Sequence, residues 1–168
     1  MGDYGRKWVK NTDTTMSTSR TARPFFMGEY TRPMDDKRRL TVPSKWRFSG
    51  DDGENAYLAL PNPNGSITLY PPEMMEKLYE KVSQMGMANQ DRQRVLMNIF
   101  RKGESLGCDK QGRISLTEKL TAYAGISKET ILIGNLTTFQ IWNPEKFEEW
   151  SNKEGGESVE DVLNELGI

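Results

Sequence analysis

The strongest constraint on this chain is that it repeats itself. "MDDKRRLTVP" (Met34 to Pro43) returns as "CDKQGRISLT" (Cys108 to Thr117). Each copy opens on a Gly-Glu pair, Gly28-Glu29 and Gly103-Glu104. Each then sets an Asp and an Arg four positions apart, Asp35 with Arg39 and Asp109 with Arg113. "LTVPSKWRFSG" then answers to "ISLTEKLTAYAG", and "LYPPEMMEKLYEKV" to "IWNPEKFEEW". Matching features in the same order mark a duplicated supersecondary unit, and such units bury their apolar faces against each other.

Each copy reads as a short strand, the Asp-x-x-x-Arg turn, and a second strand of period two: Leu40-Thr41-Val42 or Ile114-Ser115-Leu116. A short helix follows. Pro43 presets its start in copy one, with Gly50 past its end; Thr117 is the N-cap and Gly125 the stop in copy two. Trp46 and Leu120 hold matching positions and anchor these helices. A hairpin comes next, Ala56 to Leu60 with Ser66 to Tyr70, and then Thr130 to Ile133 with Thr138 to Trp142. A further helix closes each copy, with Pro72 and Pro144 in the first turn. Met75, Leu78, Tyr79 and Val82 form one apolar face of the first. Between the copies, Gln90 to Lys102 reads as an amphipathic helix with Val95, Leu96, Ile99 and Phe100 inward. The fold class is therefore α+β, in four segments: an arm over 1–24, a first unit over 25–88, a linking helix and second unit over 89–152, and an acidic tail over 153–168.

Composition narrows the chemistry. There is no histidine and a single cysteine, Cys108, among 168 residues. That removes His-based triads, most zinc sites and any internal disulfide, and a lone thiol suits a reducing cytoplasm. Cys108 lacks a histidine to activate it and reads as a small residue ending a strand; the nearby Lys110 and Arg113 could lower its pKa. No phosphate loop, dinucleotide fingerprint or metal motif is present. We expect no catalytic residue, no metal and no cofactor, and no small-molecule substrate. No apolar run approaches the length of a transmembrane helix.

Net charge is −1, but its distribution is uneven. Arg32, Lys37, Arg38, Arg39, Lys45 and Arg47 crowd one stretch that holds only Asp35 and Asp36 as acids. The tail from Ser151 carries one base, Lys153, against Glu154, Glu157, Glu160, Asp161 and Glu165. Arg and Lys neutralise phosphates by counterion release, and Arg pairs bidentately with guanine edges. A β-ribbon carrying Lys37, Arg38 and Arg39, with Lys110 and Arg113 on a second turn, offers that chemistry to double-stranded DNA. Asp35 and Asp109 then orient their arginines or fix the turns through backbone N–H groups. The bland reading stands beside it: Asp and Arg four apart across a turn form a local ion pair that sets hairpin geometry. Extra bases beside Arg39 cost repulsion unless an anion is expected or water solvates them fully.

The sequence resembles the MraZ family of bacterial regulators. The resemblance runs through "MGEYTRPMDDKRRLTVPSKWR" (Met27 to Arg47), "FRKGESLGCDKQGRISLTEKLTAYAGI" (Phe100 to Ile126) and the joins "LYPPE" and "IWNPE". It implies two tandem AbrB-like swapped-hairpin units forming a pseudo-symmetric pair. It also implies a cytoplasmic, nucleoid-associated protein that binds direct repeats before the division and cell-wall gene cluster, usually as a repressor. The implied assembly is a homo-oligomeric ring of eight or twelve subunits, with both Asp-x-x-x-Arg motifs on its DNA-facing surface. This chain departs from the pattern at Arg38, where the first motif usually has Gly. A left-handed backbone there would be strained, so Arg38 must bear that strain or use another turn. In copy two, Leu116-Thr117 stands where Pro is common.

The ends leave alternatives open. The arm is polar and basic through Arg6, Lys7, Lys10, Arg20 and Arg23, and reads as disordered. It is either a solvated tail, with Met16 or Met27 as other starts, or an extra phosphate-binding segment. The tail's Val159, Val162, Leu163 and Leu166 make a stripe that is either a docking helix or a disordered acidic end. The competing function is an antitoxin-like or scaffold ring that binds protein rather than DNA.

Overall fold

The structure is a computed structural model and describes residues 25–48, 56–86 and 88–168. The arm over 1–24 and the Gly50 stop lie outside the described residues. The strands are β1 Glu29–Pro33, β2 Arg39–Thr41, β3 Ala56–Pro61, β4 Ile67–Tyr70, β5 Glu104–Gly107, β6 Arg113–Ser115, β7 Glu129–Gly134 and β8 Phe139–Trp142. The helices are α1 Pro72–Gln84, α2 Gln90–Phe100, α3 Glu118–Ala124, α4 Pro144–Ser151 and α5 Val159–Leu166. A 3₁₀ turn over Ser44–Trp46 stands in copy one where α3 stands in copy two. The fold is thus mixed α+β with antiparallel pairing.

Six strands form one sheet in the order β1-β7-β8-β4-β3-β5. The copies interleave in it. β1, from the first, pairs with β7 of the second (Thr31 opposite Ile131), and β5, from the second, pairs with β3 of the first (Tyr57 opposite Leu106). β4 and β8 join the two hairpins at the centre, with Ile67 opposite Ile141. The other two strands, β2 and β6, form a separate ribbon.

One core lies between ribbon and sheet. Leu40, Val42, Ile114 and Leu116 close it from the ribbon side, and Tyr57, Ile67, Leu69, Leu132, Phe139 and Ile141 from the sheet. Trp46 stacks at its centre, its ring 4.9 Å from Phe139, 5.1 Å from Tyr30 and 5.9 Å from Phe26. Tyr57 donates its hydroxyl to the Trp46 carbonyl at 2.6 Å, so the burial of a phenol leaves no polar group unpaired. Gly134 is required where it stands, because a Cβ there would lie 2.3 Å from the Phe26 carbonyl oxygen.

Local signals explain the helix ends. Thr117 accepts from the Leu120 N–H, and Gly125 ends α3 with φ +66°. Asn143 caps α4 by accepting from the N–H groups of Glu145 and Lys146, ahead of Pro144. Pro72 lies in the first turn of α1. The expectation for α2 needs correction within the single chain. Leu96 and Ile99 are only half-buried, and Val95 and Phe100 are exposed. Tyr79 of α1 is likewise 75% exposed. The apolar stripe of α2 is real, but the described residues cover it only in part. The tail resolves into a helix: Ser158 caps α5, Gly167 ends it in the left-handed region, and all its residues are exposed.

Trp46 should dominate stability. Trp46→Ala is expected to cost about 3–5 kcal/mol in denaturant unfolding, the usual range for a buried Trp, while Val159→Ala on α5 should change stability little. A loss under about 1 kcal/mol for Trp46→Ala, less than a typical mutation costs, would mean the core is not organised around that ring.

Candidate nucleic-acid interface

The ribbon brings the two Asp-x-x-x-Arg motifs side by side. Arg39 faces Ser115, Leu40 faces Ile114, and Thr41 faces Arg113. Leu40 and Ile114 are equivalent residues of the two copies and lie directly opposite, so a local pseudo-dyad passes between them. Their side chains point to the core, with relative exposures of 1% and 0%. Period-two alternation then turns Arg39, Thr41, Arg113 and Ser115 to the outer face. Arg39 and Arg113 take opposite corners of this four-residue face, and cross-strand diagonals of this kind span roughly 7–8 Å.

The turns that deliver these arginines match closely. In the first, Asp35 Oδ1 accepts from the N–H groups of Lys37 and Arg39, both at 2.9 Å, and Oδ2 accepts from Arg39 Nε at 2.8 Å. In the second, Asp109 Oδ1 accepts from the N–H groups of Gln111 and Arg113 at 2.9 Å, and Oδ2 from Arg113 Nε at 2.8 Å. One carboxylate oxygen shapes each turn and the other holds the guanidinium. A guanidinium held by Nε retains its terminal NH₂ groups for another acceptor. In the second turn one of these, Nη2, donates to Gln111 Oε1 at 2.9 Å.

Each predicted residue is located. Lys37, Arg38 and Lys110 are exposed on the turns, and Arg39 and Arg113 are half-buried beside their aspartates. Arg38 adopts φ +59°, and Gly112 at the equivalent place has φ +79°. Of the two options for Arg38, the chain takes the strained one and keeps the same turn. The Arg38 Nε donates to the Leu116 carbonyl at 3.2 Å. Sequence reasoning did not single out Arg47 beyond counting its charge. Its Nε donates to the Val42 carbonyl at 2.8 Å, and its guanidinium lies against Gly112. The signal for it was Gly112 itself, a residue that leaves room as well as permitting a left-handed turn. Cys108 is half-buried; burial pushes its pKa up, with Arg47 pulling partly against that. The thiol is thereby less nucleophilic, not more. Among the described residues, no cluster of His, Cys, Asp or Glu could hold a metal ion, and no helix is long and apolar enough to cross a membrane.

Comparison with known proteins decides the family. Residues 99–165 match the family model described as "MraZ protein, putative antitoxin-like". The chain is 31% identical over 145 residues to the "Transcriptional regulator MraZ" of Clostridium tetani, covering 86% of this chain and 100% of that protein. It is 33% identical over 125 residues to the protein of that name from Thermomicrobium roseum, covering 73% and 84%. The one from Mycolicibacterium smegmatis is 31% identical over 126 residues, covering 75% and 86%. The chain belongs to the MraZ family.

The carboxylates give a pH prediction. The Arg39 N–H bond is the largest effect holding Asp35 below its ordinary 3.8; desolvation, the next in size, opposes it, and the Arg39 guanidinium and the Lys37 N–H add to the lowering; Asp109 is lowered in the same way, chiefly by the Arg113 N–H. A depressed carboxylate stabilises the folded state above its ordinary pKa and loses that contribution as pH falls through the folded value. Both turns should therefore hold unchanged from neutrality down to about pH 4 and loosen only below 3.8. Carboxyl-carbon NMR titration should place both midpoints under 3.8, with the amides of residues 37, 39, 111 and 113 moving in step. A midpoint above that value for either would remove the charge-assisted turn.

Proposed function

We propose that this protein is a sequence-specific transcriptional regulator that grips double-stranded DNA with the β2–β6 ribbon. The observation that carries this is the outer face of the ribbon, where two carboxylate-held guanidinium groups are related by a pseudo-dyad. Arg39 and Arg113 contact bases or phosphates, Asp35 and Asp109 aim them, and Lys37 and Lys110 add phosphate contacts. A two-stranded ribbon is of a size to enter the major groove, about 12 Å wide. The curated relatives named as transcriptional regulators support the same reading.

Beyond this, the chain acts as a cytoplasmic, nucleoid-associated repressor of the division and cell-wall gene cluster through promoter direct repeats. The units over 25–88 and 89–152 are AbrB-like swapped hairpins; the exchange of β1 and β5 between the copies supports that reading. The exposed apolar residues of α1 and α2 support assembly into a homo-oligomeric ring of eight or twelve subunits. Repeated sites read by a repeating ring gain affinity through effective concentration, so one subunit binds weakly alone. Chemistry on a substrate plays no part in this reading.

A second reading is favoured by the description of the matching family model as antitoxin-like and by the exposed acidic helix α5. In it the ring is a protein-binding scaffold. Salt separates the two, since phosphate contacts make the logarithm of affinity fall linearly with the logarithm of salt. Selection from a pool of duplex fragments should recover spaced repeats. Arg39→Ala with Arg113→Ala should cost about 2–6 kcal/mol of binding, two contacts at roughly 1–3 kcal/mol each. A double variant of unchanged oligomeric state that still binds the selected fragment with wild-type affinity would remove the ribbon from the interface.

A further inference from the structure

The ribbon ends in two half-made pairs. In an antiparallel ladder, hydrogen-bonded partners exchange both of their N–H···O bonds. Continuing the register past the strand ends sets Arg38 opposite Leu116 and Val42 opposite Gly112. One bond of each pair is present: the Leu116 N–H donates to the Arg38 carbonyl at 2.8 Å, and the Val42 N–H to the Gly112 carbonyl at 2.9 Å. The return donors are diverted into the turns. The Arg38 N–H goes to the Asp35 carbonyl at 3.0 Å, and the Gly112 N–H to the Asp109 carbonyl at 2.9 Å. The carbonyls of Leu116 and Val42, both buried residues, thus lose their ladder donors to the turns that present Arg39 and Arg113.

A guanidinium replaces each missing donor. Arg38 Nε serves Leu116 and Arg47 Nε serves Val42. The two come from non-equivalent positions. Arg38 stands on the first turn where the second has Gly112. Arg47 follows the 3₁₀ turn where copy two has Thr121, whose hydroxyl is bonded within α3. The positions also exclude one another: a Cβ at 112 would lie 2.1 Å from Arg47 Cζ. Where the turn carries the arginine, as at 38, the position after the helix start is small. Where the turn carries glycine, that position carries the arginine.

We propose that Arg38 and Arg47 are equivalent carbonyl caps, positioning residues that complete the two terminal pairs of the ribbon, and that the bases offered to a ligand are Lys37, Arg39, Lys110 and Arg113. Arg38 tolerates a left-handed backbone because its side chain supplies the bond that its own N–H has given up. Only the last clause rests on the DNA reading; the caps stand on hydrogen bonding within the subunit.

A double-variant cycle tests the equivalence in the full chain. Arg47→Thr alone should lower the folded-to-unfolded ratio roughly ten- to hundredfold, the worth of a hydrogen bond to a charged group. Gly112→Arg alone should lower it too, by crowding Arg47. Combining them should restore most of the loss, since an arginine at 112 would take the backbone and the task that Arg38 has opposite. A combined loss equal to the sum of the two overturns the equivalence. Arg38→Met, which keeps the stem and removes the donor, covers the case in which Gly112→Arg does not fold. It should speed amide exchange at Leu116, and an unchanged rate overturns the cap. For the contact set, binding to a mixed-sequence DNA duplex is followed against salt. Lys37→Met should reduce the slope by roughly 0.9, and Arg38→Met should leave it unchanged. An equal reduction for Arg38→Met returns Arg38 to the contacts. If the wild-type protein binds no duplex, the DNA reading fails while exchange and stability still decide the caps.

Discussion

The placement of Leu40 directly against Ile114 governs what lies above the core. These two are the only equivalent residues of the copies that meet within the ribbon, and both are buried. Their contact fixes the register of β2 on β6. A slip of one residue would turn the arginine of the slipped strand inward and its apolar residue to solvent, so burial specifies the register strongly. The turns are then held in one relation, because both are rooted in the same short ribbon. A charged motif on a free loop would lack that property. The ribbon is itself held by a core to which both copies contribute, through Trp46, Tyr57 and Phe139.

Much of this was legible in the sequence, and the limits are physical. Order, type and rough extent of the elements followed from the repeat, as did the anchors Trp46 and Leu120 and the caps at Thr117 and Gly125. Period-two patterns tell which side of a strand is buried but carry no information on its partner. The pairing of β1 with β7 and of β3 with β5 was therefore invisible. The same limit applies to α2, whose stripe was rightly seen and wrongly placed inward. Periodicity announces an apolar face and is silent on whether the subunit or something else covers it. The short helix after Pro43 was read, but not that it is a single 3₁₀ turn over Ser44–Trp46, because proline signals where helical structure starts, not how long it lasts.

For the site, Asp35, Arg39, Asp109 and Arg113 were readable from spacing alone, since a carboxylate two and four residues before the amides it accepts is a local geometry. What spacing could not deliver was their mutual position, which depends on a strand pairing between copies. The turns agree to 0.1 Å in all three aspartate bonds although three of their five residues differ. The geometry therefore belongs to the Asp and the Arg, and the residues between are free to serve other ends. Exposed ion pairs contribute little stability, so a pair reproduced this closely on a solvent-facing ribbon is better explained by orienting the arginine than by holding the fold.

That freedom accounts for the apparent imbalance between the copies. Read by its bases, "DDKRR" looks the stronger electrostatic contact and "DKQGR" the weaker. Yet each five-residue turn carries a net charge of +1, because Asp36 of the first stands where Lys110 stands in the second. In space the extra arginine of the first turn has a counterpart, since Arg38 is turned onto the Leu116 carbonyl while Arg47 does the corresponding work for the second turn from outside it. With the capping arginines set aside, each turn has one lysine and one carboxylate-held arginine, and the first also carries Asp36. The pseudo-dyad of the backbone is thus matched by Arg39 and Arg113, whereas Lys37 and Lys110 stand at non-equivalent positions, aligned with Gln111 and Asp36. Two equivalent basic points at a fixed separation suit a ligand with regularly spaced anions better than a single charged group, and a nucleic-acid backbone is such a ligand.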